Sequence, residues 1–389
     1  MSAPRVLFVD HAGVLGGAEL YLLDVARRLR DRSHVVLFES GPFAERLRTH
    51  DVSVEVFPAP ASFLTVKKSG GWASAVSFLP GLVRLSLRLA RRARDYDLLY
   101  ANSQKAFFVA GLAGVLARRP VVWNLHDLLT ADHFSWLSRR AATLWANAFA
   151  DHVIVNSEAT RAAFVQSGGP VERTTVVYNG IDAAPFAPSA LPSPQQTRAT
   201  LGLPGGPLVG MFSRLAPWKG QHVLLEALAQ LPDVHGLLVG DSLFRGDESY
   251  KTELHRKAEH LGVEDRIHVL GFRDNVAELM HAVDVVVHAS TEPEPFGRVI
   301  VEGMLARRPV IATRAGGAAE IVQDRETGLL TPPGDADALA DAIDRIVSNP
   351  ETAHQLAEAG RRHALDRFSV DTMMTQISDV IHDVAPPST

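Results

Sequence analysis

The sequence has no cysteine among its 389 residues. Disulfide scaffolds, thiolate metal sites and cysteine nucleophiles are therefore excluded. Long apolar runs are also absent, since no stretch free of Asp, Glu, Lys and Arg exceeds the 15 residues of 69–83. A membrane-spanning helix needs ~20 apolar residues. Because the first apolar run, Val6–Val9, is followed at once by Asp10, we also expect no secretory leader and a cytoplasmic protein.

Neither sign of charge dominates, because the chain has 39 Lys and Arg against 44 Asp and Glu. With 46% apolar residues and so small a net charge, the composition excludes a disordered chain. The charge is unevenly spread. Residues 1–187 hold 21 basic and 16 acidic side chains, or +5, which leaves 18 and 28, or −10, for residues 188–389. The halves are expected to face different partners, or one of them an anionic surface. Nucleic acid is not an expected partner, since basic and aromatic residues are not interleaved.

Short runs rich in Val, Leu and Ile alternate with helix-period segments along the chain. In the first half these runs are 6–9, 35–38, 54–57, 98–100, 121–123 and 153–155; in the second they are 208–211, 237–239, 267–269, 285–287 and 310–311. Strands that are apolar on both faces and separated by helices predict parallel sheets covered on both sides.

A proline-rich segment separates the halves, with Pro185, Pro188, Pro192 and Pro194 within ten residues. It predicts a linker at 186–196 between domains 1–185 and 197–367. Each domain is predicted to be doubly wound, with ligands at the carboxyl ends of its strands.

Gly13, Gly16 and Gly17 follow the first strand and precede a helix predicted at about 18–29. Glycines let a ligand approach the backbone, and a helix N-terminus offers N–H groups to an anion. The alternative is a tight strand-to-helix turn with no ligand. The segment is not a P-loop, because no Gly-Lys-Ser/Thr follows.

Arg214 and Lys219 lie five residues apart, after the first strand of the second half and before a helix predicted near Gly220. Both cations can converge on one anion, for which a diphosphate is the obvious candidate. The alternative is a pair of solvated surface cations.

Glu294 and Glu302 bracket a predicted helix start near Gly297, and Glu302 shares a helix face with Arg298. Two carboxylates at this spacing can contact two parts of one elongated ligand. Alternatively, Glu294 caps the helix and Glu302 only pairs with Arg298. In the first half, His126 at a predicted strand end is a further candidate, since a histidine there would face the ligand side of the sheet.

Together these motifs resemble glycosyltransferase family 4, the retaining enzymes of GT-B fold. The resemblance covers nearly the whole chain, in the right order, and rests on Gly16 to Glu19, His126-Asp127, Tyr178 to Asp182, Arg214 with Lys219-Gly220, and Glu294-Pro-Phe-Gly through Glu302. It implies two Rossmann-like α/β domains facing a central cleft, with a C-terminal helix at about 368–386 crossing back onto the first domain.

The resemblance also implies roles. Arg214 and Lys219 would hold the donor diphosphate, Glu294 the hydroxyls of the transferred sugar, and Glu302 the ribose. His126 would lie beside the sugar. The remaining donor contacts would come from Gly16 and Gly17, from Phe296, Gly297, Arg298 and Val299 at a helix N-terminus, and from Phe272, Arg273 and Val276 around the base.

The expected reaction moves a hexose from a nucleotide-diphosphate sugar to a hydroxyl acceptor with the anomeric configuration kept, in cell-envelope glycan, glycolipid or glycoside biosynthesis. UDP is expected as the commonest donor nucleotide, with GDP or ADP as alternatives. No cofactor and no metal are expected, because the Asp95/Asp97 and Asp335/Asp337 pairs do not follow strand ends. A dissociative mechanism without a protein nucleophile fits these residues, and double displacement on Glu294 is its rival. The rival functions are a GT-B nucleotide-sugar epimerase and a non-enzymatic sugar-binding protein.

Residues 67–94 contain seven basic and no acidic side chains. Apolar residues recur there at helical spacing, with Arg84, Arg88 and Arg91 predicted largely opposite to them. Such a helix can lie on an anionic membrane surface, which would bring a lipid-linked acceptor, or it can be an ordinary helix packed on the sheet. In the second case a small acceptor such as an aminocyclitol or a sugar phosphate stays open.

Overall fold

A computed structural model of the chain describes residues 3–64, 72–187, 189, 191–242 and 248–385. The chain divides into two units. Unit 1 comprises Met1–Gly180 and Val370–Thr389, and unit 2 comprises Ile181–Ser369. The boundary differs from the expected linker at 186–196, because Ile181 donates its N–H to the carbonyl of Phe368 and pairs with Ser369 in an isolated parallel bridge. Residues that follow Gly180 therefore join the fold of unit 2.

Unit 1 is built on a seven-stranded sheet of parallel strands in the order β3-β2-β1-β4-β5-β6-β7. Its strands are β1 (Val6–Asp10), β2 (Ser33–Leu37), β3 (Val54–Val56), β4 (Leu98–Ala101), β5 (Val121–Leu125), β6 (His152–Val155) and β7 (Thr174–Val176). The strand order reverses between β1 and β4, which is where ligands bind in doubly wound sheets.

Helices cover both faces of this sheet. They are α1 (Gly17–Arg28), α2 (Pro42–Thr49), α3 (Ala61–Leu64), α4 (Trp72–Ala93), α5 (Gln104–Ala117), α6 (Trp136–Phe149), α7 (Glu158–Gln166) and α16 (Val370–Val384). On one face Leu7, Leu99 and Trp123 of the strands pack with residues of α4 and α5. On the other, Phe8 and Tyr100 pack with α1, α2 and the apolar side of α16, including Ile377.

Unit 2 repeats the design with six parallel strands in the order β10-β9-β8-β11-β12-β13. These are β8 (Leu208–Phe212), β9 (His235–Val239), β10 (Ile267–Gly271), β11 (Val285–His288), β12 (Val310–Thr313) and β13 (Leu329–Thr331). Its helices are α8 (Pro194–Leu201), α9 (Gln221–Ala229), α10 (Glu248–Leu261), α11 (Val276–Ala282), α12 (Arg298–Leu305), α13 (Ala318–Ile321), α14 (Ala336–Val347) and α15 (Pro350–Arg367). The main core packs Val209 and Val287 of the sheet against Leu224 of α9 and Ile343 of α14.

The expected fold class is confirmed: two doubly wound α/β units, with α16 packed in the core of the first. All eleven apolar runs form strands. Two strands, β7 and β13, were not anticipated. Each has three residues, lies at a sheet edge and pairs with one neighbour, as the predicted β3 also does, and β7 carries only one apolar residue.

Helix α4 differs from the expected single apolar face with arginines opposite. Leu82, Leu85 and Leu89 are buried, whereas Leu79, Val83 and Leu87 are exposed by 53%, 50% and 48%. These exposed residues line one groove together with Arg84, Arg88 and Arg91. Helix α4 therefore has more apolar residues than its contact with the core can bury, and a second apolar row is exposed to solvent beside the arginines. Lys67 and Lys68 lie outside the described residues, and no helix in the described ranges has the length and apolar character needed to cross a bilayer.

Candidate functional site

In unit 2, the loops after β8 and β11 lie side by side because these two strands are neighbours in the sheet. The Thr291 N–H donates to the carbonyl of Trp218 over 2.8 Å and joins the loops. At Gly220 the backbone has φ +81°, and a Cβ atom there would lie 1.9 Å from the carbonyl oxygen of Ala289. Only glycine allows the loops to approach this closely.

Glu294 is the centre of this site, and it is 93% buried with a residual exposure of 7%. Its Oε1 accepts from Lys219 Nζ at 2.5 Å, from His288 Nε2 at 2.9 Å and from the Ser290 hydroxyl. Burial alone would raise the pKa of Glu294, but the charge of Lys219 and the contact with His288 outweigh it and hold the pKa well below its usual range. Glu294 is therefore a fixed carboxylate.

Trp218 lies beneath both candidate cations. The guanidinium carbon of Arg214 is 5.3 Å from the ring centroid, and Lys219 Nζ is 4.2 Å from it. Both candidate cations therefore lie within reach of the Trp218 ring, whose quadrupole favours positive charge. Trp218 was not assigned a role from the sequence.

Helix α12 begins after Gly297, which is its N-cap with φ +104°. Glu294 does not cap the helix, so that alternative is wrong. The other part of the alternative is observed, since Arg298 Nε donates to Glu302 Oε1 over 3.1 Å. Phe296 is buried and packs edge-on against Phe368. This contact fixes the backbone just before the N-terminal amides of α12. Val299 lies in the first turn of that helix.

The turn after β10 carries the residues expected to meet a nucleotide base. Gly271 adopts φ +68° and its carbonyl accepts from the Gly240 N–H over 2.8 Å. Phe272 is 60% exposed, Arg273 is exposed beside it, and Val276 begins α11. An exposed aromatic ring at the carboxyl end of a strand is available to pack against a planar ligand.

In unit 1, a buried polar network follows β1, β4 and β5. Asn102 Nδ2 donates to Asp10 Oδ2 over 2.6 Å, and Asn102 Oδ1 lies 2.9 Å from His126 Nε2. The Tyr21 ring packs edge-on against His126 at 4.9 Å between centroids. Burial lowers the pKa of His126 to about 4, with Asp10 opposing the shift. His126 is therefore a neutral imidazole near pH 7.

The glycine turn of unit 1 is closed by Glu19, whose Oε2 accepts from the Gly16 N–H over 2.9 Å. A Cβ at Gly16 would lie 2.8 Å from that oxygen, whereas one at Gly17 would meet nothing within 4 Å. Burial, then the charge of Asp10, raises the pKa of Glu19 to about 8. A side chain at Gly16 would therefore have to displace the Glu19 carboxylate, whereas the open side of Gly17 leaves room beside the helix N-terminus.

The two Asp-x-Asp pairs have local contacts. Asp97 accepts from the Arg5 N–H over 2.7 Å and Asp95 pairs with Arg92. Asp335 caps α14 by accepting from the Ala338 N–H, and Asp337 accepts from Gln230. Within the described ranges, no three His, Asp or Glu side chains group in a way that could hold a metal ion.

Lys219 and Glu294 were predicted from the sequence, but for two different parts of the donor, the diphosphate and the transferred sugar, and Asp10, Asn102, His288 and Ser290 were not predicted. A signal existed for all four. Asp10 and His288 are the last residues of buried strands, Asn102 directly follows β4, and Ser290 lies two residues after the end of β11. A polar residue at the carboxyl end of an otherwise apolar strand is a candidate for a site.

Comparison with known proteins identifies two families along the chain. Residues 15–184 match the model described as Glycosyltransferase Family 4, and residues 195–363 match Glycosyl transferases group 1. The matches fall one in each half of the chain and together span most of it.

Several solved structures and curated proteins are similar to this chain. The Anabaena protein HepE, crystallised in complex with UDP and glucose, is 43% identical with a TM-score of 0.88, over 97% of this chain and 99% of that chain. A D-inositol 3-phosphate glycosyltransferase of Corynebacterium urealyticum is 31% identical over 74% of this chain and 71% of its own length. The lipopolysaccharide core glycosyltransferase LpsE of Rhizobium meliloti is 38% identical, but the match spans 44% of this chain and only 49% of LpsE.

Proposed function

The chain belongs to glycosyltransferase family 4, and from that premise we propose that it is a retaining hexosyltransferase that takes its sugar from a UDP-sugar. The observation that carries the proposal is the buried Lys219–Glu294 pair beside Arg214 in unit 2. Cations for a diphosphate and a fixed carboxylate for sugar hydroxyls are the groups that such a donor needs. The likeness to HepE, whose crystals hold UDP and glucose, favours UDP over GDP and makes glucose the first sugar to test.

Unit 2 binds the donor in this proposal. Arg214 and Lys219 neutralise the diphosphate and the charge that develops on it as the sugar leaves. The amides at the start of α12 bind phosphate or sugar oxygens, Glu302 accepts from the ribose, and the exposed Phe272 ring lies against the base. The Arg298–Glu302 contact of 3.1 Å holds the Glu302 carboxylate in place.

We further propose that the reaction has no protein nucleophile. Glu294 is held by three donors at one oxygen, which suits a positioning anion better than a group that must swing to attack carbon. The leaving diphosphate oxygen then accepts the acceptor's proton on the same face of the sugar, which retains the configuration. Removing a true nucleophile typically costs ~10⁶-fold in kcat. A kcat of Glu294→Gln above about 10⁻³ of the wild-type kcat would exclude double displacement. NMR of the product would show whether the anomeric configuration is retained.

Independence of metal ions is part of the proposal. The carboxylates of both Asp-x-Asp pairs are occupied by caps, turns and an ion pair. Full activity in EDTA is expected, and loss of activity that manganese restores would overturn this statement.

In unit 1, the neutral His126 is proposed to hydrogen-bond a sugar hydroxyl, and the open side of Gly17 to admit phosphate or acceptor. The low pKa of His126 suits a hydrogen-bond partner better than a general acid. A pH–rate profile should therefore show no ionisation of His126 between pH 5 and 8.

The acceptor is proposed to lie at an anionic membrane surface that α4 recognises. Leu79, Val83 and Leu87 are half-exposed and share one groove with three arginines. An apolar row beside basic side chains can enter the headgroup region of an anionic leaflet. Arg88 is only partly available, because it also lies over the Phe57 ring and near Glu55.

Vesicle sedimentation tests the membrane proposal. Wild type should pellet with phosphatidylglycerol vesicles at low salt and not with phosphatidylcholine vesicles. Leu87→Ser should weaken pelleting, while Leu365→Ser, at another exposed helical leucine, should not. Failure of wild type to pellet would leave a small acceptor such as an inositol or sugar phosphate.

One screen tests the function as a whole. Wild type is incubated with UDP-, GDP- and ADP-sugars and tested for binding and slow donor hydrolysis, with Arg214→Ala as the site variant. Hydrolysis that Arg214→Ala lowers by ~10²-fold or more is expected. Binding without turnover of any donor would favour the sugar-binding alternative instead.

A further inference from the structure

Two side chains near the end of β11 converge on one oxygen of Glu294. His288 Nε2 lies 2.9 Å from Glu294 Oε1, and the Ser290 hydroxyl donates to the same atom. His288 is 4% exposed and Ser290 is 1% exposed. Polar side chains this deeply buried have lost contact with water, so hydrogen bonds inside the protein must replace their bonds to water.

The proton positions follow from the carboxylate. Glu294 is ionised and can only accept, so His288 must carry hydrogen on Nε2 and Ser290 must point its hydroxyl hydrogen at Oε1. With Lys219, three donors therefore share Oε1. Glu294 Oε2 has no hydrogen-bond partner among the residues that the structure describes.

The backbone on either side of this contact is fixed as well. The Gly317 N–H donates to the Glu294 carbonyl over 2.8 Å, and Thr313 Oγ1 donates to the His288 carbonyl over 3.1 Å. The Glu294 side chain is thus fastened at Oε1 and its main chain at the carbonyl, and Oε2 is the part left to contact another molecule.

We propose that His288 and Ser290 are positioning residues of the donor site, which hold Glu294 by Oε1 so that Oε2 accepts from a hydroxyl of the transferred sugar. The inference rests on the proposed function, in which Glu294 binds the sugar and not the nucleotide. Without either residue, the Glu294 carboxylate can rotate about its Cγ–Cδ bond. Its Oε2 is then no longer held in the position that accepts the sugar hydroxyl.

A purely structural role for His288 predicts a different result. If the imidazole only fills space in unit 2, its removal should weaken the whole site and lower the affinity for UDP and for UDP-glucose alike. A positioning role lowers the affinity for the sugar nucleotide alone, because UDP carries no hydroxyl of the transferred sugar.

The experiment measures the Kd of UDP and of UDP-glucose by calorimetry for wild type, Ser290→Ala, His288→Leu and His288→Gln. Glutamine keeps an N–H at a reach similar to that of Nε2. We expect His288→Leu and Ser290→Ala to weaken UDP-glucose binding by ~10-fold, the loss of about one hydrogen bond to a charged group. UDP binding should change less than twofold, and His288→Gln should recover most of the loss.

His363→Leu is the matched control, since it removes another unit 2 imidazole with a buried, unpartnered nitrogen and does not touch Glu294. It should leave both affinities unchanged. Equal weakening of UDP and UDP-glucose by His288→Leu, or no weakening at all, would overturn the positioning role.

A ligand-free measurement separates this inference from the proposed donor. If wild type binds neither UDP nor UDP-glucose, the UDP-sugar proposal fails, and the melting temperatures of Ser290→Ala, Glu294→Gln and the double variant decide the positioning role. Non-additive shifts would show that Ser290 holds Glu294, and additive shifts would overturn it.

Discussion

Lys219 Nζ lies 2.5 Å from Glu294 Oε1, although the two residues are 75 positions apart in the chain. Two residues that the sequence assigns to separate parts of a ligand therefore form one buried ion pair. A change at either residue must disturb the other, because it would leave a buried charge without its partner.

A double-mutant cycle tests this coupling. Lys219→Ala and Glu294→Gln should each lower kcat/KM by ~10²–10³-fold, and the double variant should be no worse than the poorer single variant, because either change already dismantles the pair. Lys257→Ala with Glu226→Gln, at an ion pair elsewhere in unit 2, is the control and should leave kcat/KM unchanged. Multiplicative losses at Lys219 and Glu294 would contradict the coupling.

Trp218→Leu should reduce UDP affinity by about 10-fold, because the ring lies beneath both Arg214 and Lys219 and each cation–π contact contributes ~0.5–1 kcal/mol. Trp218→Phe should lose less, since a smaller aromatic face remains. Calorimetric titration with UDP measures the effect, and Trp136→Leu, at an exposed tryptophan of unit 1, is the control. An unchanged Kd in Trp218→Leu would refute the role of the ring.

Gly316→Ala should disrupt the donor site, because a Cβ there would lie 2.3 Å from the Glu294 carbonyl oxygen and 2.8 Å from its nitrogen. Gly202→Ala is the matched control. Gly202 has φ +64° against +58° at Gly316, but a Cβ at Gly202 meets nothing within 4 Å. In both variants the backbone strain should lower the free energy of unfolding by ~1 kcal/mol. Only Gly316→Ala should also have a lower kcat. Equal activity of the two variants would show that the Glu294 backbone can move without cost.

Glu19→Gln should flatten the pH dependence of stability. The folded-state pKa of about 8 lies above the ordinary 4.5, so the folded state binds more protons between these values and wild type loses stability as the pH rises through that window. Between these two pKa values the free energy of unfolding of Glu19→Gln should rise, relative to that of wild type, by up to about 1.4 kcal/mol per pH unit. Melting temperatures from pH 5 to 9 measure this, with exposed Glu39→Gln as the control. Parallel curves for wild type and Glu19→Gln would contradict the raised pKa.

The sequence was sufficient to predict the strands because each buried strand is apolar on both faces, as in Val6–Val9 and Val285–Val287. Helix starts at Arg298 and Gln221 were also within one residue of the predicted positions near Gly297 and Gly220. Local pattern decides such features, so they can be read without knowing the tertiary contacts.

Contacts between distant loops were not accessible in this way. That Lys219 pairs with Glu294 depends on β8 and β11 being neighbours in the sheet and on the close approach at Gly220. The prediction of one apolar face on α4 was wrong for a related reason. Helical periodicity shows which residues lie on the same side of the helix, but not how many of them the core buries. Leu82 and Val83 are both apolar and adjacent in the chain, yet Leu82 lies in the core of unit 1 and Val83 is half-exposed.

The packing of α16 has a consequence for how the protein is made. Val370, Met373 and Ile377 complete a core whose buried members outside α16 all lie within residues 6–177. During synthesis the ribosome must translate all of unit 2 before this core can close, whereas unit 2 is one continuous segment. The segment translated first is thus the one that finishes folding last, and its open apolar side is the surface that a chaperone would meet on the nascent chain.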